Sequence, residues 1–117
     1  MSELEAACAL ESYSKLERAG LVQFFEFTFE LAWKTLKDLL LHLGVDAKTP
    51  REVIRSAFEA GLLDEESAEA LLDALGRRNL LAHTYREAIA LEAEALIRNR
   101  YCPVLQRLAR TLADRDE

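Results

Sequence analysis

The stretch of residues 21–43, LVQFFEFTFELAWKTLKDLLLHL, constrains the fold more than any other part of the chain. Leu21, Phe24, Phe25, Thr28, Leu31, Ala32, Thr35, Leu36, Leu39, Leu40 and Leu43 recur at intervals of three and four, the period of one helical face. Phe27, Phe29 and Trp33 widen that face until only a narrow polar stripe remains: Gln23, Glu26, Glu30, Lys34 and Lys37. Within the stripe, Glu30 and Lys34 stand in the favourable i, i+4 order. A helix that is apolar on most sides needs neighbours on more than one face. It is therefore the centre of a bundle or is shared with another subunit. Gly44 marks its end.

The remaining sequence supplies further helices. Half the residues are hydrophobic, and only four glycines and two prolines interrupt the pattern. This favours an all-α fold, an antiparallel up-and-down bundle of about five helices, in a chain whose 117 residues make a single domain, 1–117. Capping chemistry sets the expected boundaries. A first helix, 3–18, opens with the capping box Ser2/Glu5 and stops before Gly20. A third runs from the start signal Thr49-Pro50-Arg51-Glu52 to about Ala60, before Gly61, with Val53, Ile54, Ala57 and Phe58 inward. Asp64 caps a fourth, whose face is Ala68, Leu71, Leu72, Leu75 and Leu80. Gly76 is then the only glycine that does not end a helix. A fifth begins at Tyr85 through a Thr84/Glu87 box, and Pro103 inside it predicts a kink near Asn99.

Composition narrows the function. No segment approaches the run of roughly 18 apolar residues that a membrane span requires, and the N-terminus is acidic where a signal peptide would be basic, so a cytoplasmic protein is expected. Cys8 and Cys102 lie far apart without metal-ligand spacing, which reads as two buried thiols with no assigned chemistry. A net charge of −6 argues against broad, non-specific nucleic-acid binding. The charge is segregated, however. Residues 59–73 hold six acids and no base, whereas Arg98, Arg100, Arg107 and Arg110 fall in an acid-free run, 95–113. That run fits a solvated face better than a phosphate-binding wall.

One short basic stretch stands apart. Arg77-Arg78-Asn79-Leu80-Leu81-Ala82-His83-Thr84-Tyr85-Arg86 places a histidine, a tyrosine, an amide and three arginines within ten residues, with no acid among them. Asn79 and His83, four apart, share a helical face, on which the amide can fix the imidazole tautomer. On an unbroken helix Arg78 and His83 stand about 140° apart, so a break at the joint is what would let them converge. Such a set suits nucleotide binding or phosphodiester cleavage. A neutral His83 takes a proton from an attacking hydroxyl or returns one to a leaving oxygen, while Arg78 stabilises charge on the phosphate. Arg77 and Arg86 add positive charge for phosphate. That chemistry needs no metal and no cofactor, and Glu26 with Glu30 is only a weak magnesium candidate. A single acid-base group completes a cycle only if two copies face each other across a dimer. The competing structural reading has His83 and Tyr85 packing at a helix joint while the arginines cap carbonyls at the end of the helix.

Three separated motifs carry a family resemblance: Phe25-Glu26-Phe27-Thr28-Phe29-Glu30-Leu31-Ala32-Trp33-Lys34-Thr35-Leu36-Lys37, Pro50-Arg51-Glu52-Val53-Ile54-Arg55, and Arg78-Asn79 with His83-Thr84-Tyr85. Together they resemble the nucleotidyltransferase substrate-binding protein family, a branch of the HEPN superfamily, over nearly the whole chain. The resemblance implies a four-helix HEPN-like core that self-associates and works with a separate small nucleotidyltransferase, binding nucleotide or polynucleotide near the third motif. A second implication is a metal-independent ribonuclease toxin in which Arg78, Asn79 and His83 are catalytic. There the partner silences the toxin by adenylylating Tyr85. A third reading, a helical assembly protein without an active site, needs none of these residues. The sequence departs from the family pattern at Arg77, where an acid is common, and in lacking a tryptophan around residues 68–70.

Overall fold

The computed structural model describes residues 2–10, 12–83 and 86–115, with Ser2 and Arg115 described by their backbone alone. It has six α-helices: α1 Ser2–Cys8, α2 Lys15–His42, α3 Pro50–Glu59, α4 Glu65–His83, α5 Glu87–Leu96 and α6 Cys102–Arg115. A single π turn, Ile97–Tyr101, joins α5 to α6 into one rod, so five rods make up the bundle. No strand occurs among the described residues.

The axis of the bundle is α2. Its 28 residues rise about 42 Å and set the longest dimension of the molecule, 44 Å. It packs against α1, α3, α5 and α6, while α4 bridges α3 to the α5–α6 rod. One core results: Leu21, Phe25, Phe29, Leu36 and Leu40 of α2 meet Val53, Ile54 and Ala57 of α3, Leu71, Ala74 and Leu75 of α4, and Ile97, Tyr101, Leu105 and Leu108 of the rod. The surplus apolar surface of α2 is not all used. Phe27 and Leu31 stay 72% and 66% exposed and Phe24 is also open, so the helix is both the centre of this bundle and free on one side.

Several boundaries fall where capping chemistry put them. Thr49 accepts from the Glu52 N–H at 3.2 Å, Asp64 accepts from the Ser67 N–H at 2.7 Å, and Gly44 and Gly61 take the left-handed conformation that ends α2 and α3.

The expected first helix, 3–18, is wrong. The chain breaks after Cys8, and α2 begins at Lys15 behind a capping box in which Ser14 Oγ accepts from the Glu17 N–H at 3.1 Å and Glu17 Oε1 accepts from the Ser14 N–H at 3.0 Å. Gly20 therefore lies inside α2 rather than ending a helix. The Ser2 side chain, needed for the alternative box, lies outside the described residues. The tight connection is clasped instead from elsewhere: the Tyr13 hydroxyl donates to Ala7 O, and Arg98 donates to Leu10 O at 3.2 Å with its guanidinium 5.0 Å from the Tyr13 ring centroid.

The other half of the chain needs two adjustments. Around Asn99, ahead of Pro103, the helix takes a π turn, with the Cys102 N–H bonding back to Ile97 O, so it widens before the residue that has no N–H to give. On α4 the inward residue is Leu81, not Leu80, which is 40% exposed.

Candidate functional site

Residues 77–83 of the basic stretch form the last two turns of α4. Because α4 continues through His83, the break that would let Arg78 and His83 converge does not occur before the histidine. Within one chain they project about 140° apart. Asn79 and His83, four residues apart on that helix, lie on one exposed side. Thr84 and Tyr85 lie outside the described residues. Arg86 follows in extended conformation and is exposed, and α5 starts at Glu87, two residues later than the Thr84/Glu87 box implied.

The two adjacent arginines turn to opposite neighbours. Arg78 faces α2. Its guanidinium lies 3.3 Å from Glu30 Oε2 and 6.0 Å from the Phe29 ring centroid, and its side chain keeps 28% exposure. Glu30 is the fixed point of this arrangement. The Trp33 indole N–H donates to the same Oε2 at 3.0 Å, and Lys34 Nζ lies 3.2 Å from Oε1. The Trp33 hydrogen bond, helped by Lys34 and Arg78, holds the Glu30 carboxyl below the usual range. One turn earlier, burial pushes Glu26 up, partly offset by the charge of Arg78.

Arg77 faces the rod. It donates to Glu92 Oε1 of α5 at 3.1 Å and lies beside Tyr101 of the π turn, whose hydroxyl it acts on electrostatically and which donates to Asp73. Arg100 closes the cluster 3.3 Å from Asp73 Oδ2. The Tyr101 ring is buried and stacked on Phe25 with centroids 5.5 Å apart. Burial first, and then Asp73, push its hydroxyl up to about 12. Any contact of Arg77 with phosphate would come at the expense of this clasp.

With Trp33, Lys34 and Arg78 already around its two oxygens, Glu30 is poorly placed to take a divalent cation together with Glu26. Among the described residues, no group of three or more His, Cys, Asp or Glu side chains could hold a metal ion. The arginines of the acid-free run are also partly committed, Arg98 to the 9–14 connection and Arg100 to Asp73. His42 is exposed in the last turn of α2, where the helix dipole favours it.

Sequence reasoning paired Glu30 with Lys34 but missed its contact with Arg78. The only local signal was its place in the narrow polar stripe of the first motif. Glu92 and Tyr101 carried no signal as neighbours of Arg77.

The family described as "Nucleotidyltransferase substrate binding protein like" matches residues 1–114. A protein from Thermus thermophilus with a solved crystal structure is similar at 36% identity and a TM-score of 0.81, over 97% of this chain and 92% of its own. No curated protein matches. The described helices include none long and apolar enough to cross a membrane.

Proposed function

Because the chain belongs to the nucleotidyltransferase substrate binding protein like family, we propose that it is the substrate-binding or regulatory partner of a separate small nucleotidyltransferase. In this reading it binds the phosphates of a nucleotide or polynucleotide at Arg78, with Asn79, His83 and Arg86 at the adjoining surface. The observation that carries the reading is the mounting of Arg78. Its guanidinium is partly open to solvent and held from behind by Glu30 and the Phe29 ring. A partly open, oriented guanidinium can bind a phosphate through two parallel hydrogen bonds without first being ordered. Trp33, bonded to Glu30, is a built-in reporter. Addition of ATP changes its fluorescence in the wild-type protein and not in Arg78→Ala. A wild-type protein that gives no change and no heat with ATP, a dinucleotide or a short single-stranded RNA contradicts the reading.

Self-association belongs to the same proposal, supported by the open side of α2 around Phe24, Phe27 and Leu31. Sedimentation of wild type and Phe27→Lys tests it, with the substitution shifting the protein toward monomer.

The divergence of Arg78 and His83 on one continuous helix bears on the second reading, the metal-independent ribonuclease. A composite site would take Arg78 from one copy and His83 from the other, the histidine accepting the proton of the attacking ribose hydroxyl while the guanidinium stabilises the phosphate. Mixing Arg78→Ala with His83→Ala would then restore part of the RNA cleavage that each lacks alone, in excess chelator. In the toxin form of this reading the partner transfers the adenylyl group of ATP to the Tyr85 hydroxyl and releases pyrophosphate. Retention of that transfer in Tyr85→Phe contradicts it.

A further inference from the structure

Residues Cys8 and Cys102, 94 positions apart in the sequence, meet in the fold. Cys8 is the last residue of α1 and Cys102 the first of α6. Cys102 is 3% exposed within the core, and Cys8 packs half-buried against the same cluster. Their side chains lie close enough to act on each other, Cys102 pushing the Cys8 thiol up and Cys8 lowering that of Cys102.

We propose that this pair is an oxidation site, converted to an intrachain Cys8–Cys102 disulfide by hydrogen peroxide. Two thiols from elements already packed together need only a small approach of their sulfurs to reach bonding distance. The interaction between the two side chains raises the Cys8 thiol and lowers that of Cys102, which makes Cys102 the first of the pair to give up its proton. It attacks one peroxide oxygen, forming an S–O bond as the O–O bond breaks, and the departing hydroxide leaves as water with a proton. The Cys8 sulfur then attacks the sulfenic sulfur of Cys102. The S–S bond forms, the S–O bond breaks, and the second water leaves with the Cys8 proton. Two thiols lose two electrons and one peroxide is reduced to two waters.

The bridge has a defined structural effect. It fastens α1 to the start of α6 beside Tyr101, whose hydroxyl donates to Asp73. The connection after Cys8 is already tied by Tyr13 and Arg98, so oxidation adds a covalent clasp where the noncovalent one lies. Closing so long a loop is expected to raise Tm by on the order of 10 °C.

The test uses the full chain, treated with hydrogen peroxide well below its Tm and checked by circular dichroism to be folded. The expected result is a monomeric chain lighter by two hydrogen atoms, a disulfide-linked peptide pair spanning Cys8 and Cys102 after digestion, and a raised Tm that dithiothreitol reverses. Cys8→Ser and Cys102→Ala should each abolish the linked pair and the reversible Tm rise. A folded wild-type chain that keeps both thiols, that gains oxygen as sulfinic or sulfonic acid instead, or that links only to a second copy would overturn the proposal.

Discussion

Arg77 and Arg78 are neighbours in the chain, yet one is part of the frame and the other faces a candidate ligand. A step of one residue turns a helical side chain through about 100°, enough to aim Arg77 at α5 and the π turn and Arg78 at α2. Behind Arg77 lies a closed network of Tyr101, Asp73, Arg100 and Glu92. Behind Arg78 lies the Glu30 carboxylate, itself fixed by an indole N–H and a lysine. The lesson is that the chemistry of a basic motif is decided by what its neighbours deliver to each side of the helix.

The comparison breaks most visibly at Tyr101. Tyr101→Ala removes a buried ring and a hydroxyl together and is expected to cost about 3–5 kcal/mol of stability, measured by urea denaturation. Next comes Arg77→Ala, expected to cost about 1–2 kcal/mol because it removes a charge-assisted bond to Glu92 and the packing of a mostly buried side chain beside Tyr101. Arg78→Ala should cost less than about 1 kcal/mol, since the ion pair it loses is partly solvated. Equal costs at the two positions would erase the distinction.

Titration sharpens it. The hydroxyl of Tyr101 is pushed from the ordinary 10.0 to about 12, so folding favours its neutral form. The stability this contributes is fully present below the unfolded value and is lost as pH rises from about 10 to 12. Wild type should lose its advantage over Tyr101→Phe across that window in pH-dependent denaturation. Glu30 runs the opposite way: its lowered pKa gives stability present above the ordinary carboxylate range and lost as pH falls through the folded value. Wild type and Glu30→Gln should therefore converge only in acid.

The smallest effect belongs to Gly76, exposed one residue before the pair. A Cβ added there meets nothing within 4 Å, so Gly76→Ala should stabilise the protein by about 0.5–1 kcal/mol. Unchanged ATP affinity in that variant would mean that no ligand or second backbone closes on this turn.

Much of the fold was legible because local chemistry decided it. Thr49-Pro50, Asp64, Gly44 and Gly61 act on their own backbone, and the apolar periodicity of α2 named the central helix. The first helix failed because the start signal at Ser14, with Glu17 three residues on, was passed over, and because glycine permits a helix end without requiring one. At the site, the motif itself was readable, but the division of labour within it was not. Glu30 lies 48 positions from Arg78, and Tyr101 lies 24 from Arg77, so only tertiary packing could pair them. Whether Arg78 and His83 share a face hung on a helix break before His83, which local signals did not locate. The meeting of Cys8 and Cys102 was equally beyond reach of spacing.

The most direct measurement is a calorimetric titration with ATP of wild type, Arg77→Ala and Arg78→Ala, each at a temperature where it is fully folded. The account predicts that Arg77→Ala binds like wild type, whereas Arg78→Ala binds roughly 10–100-fold more weakly, the loss of charge-assisted hydrogen bonds worth about 1.5–3 kcal/mol. Undiminished binding by Arg78→Ala, with loss of binding in Arg77→Ala, would contradict it.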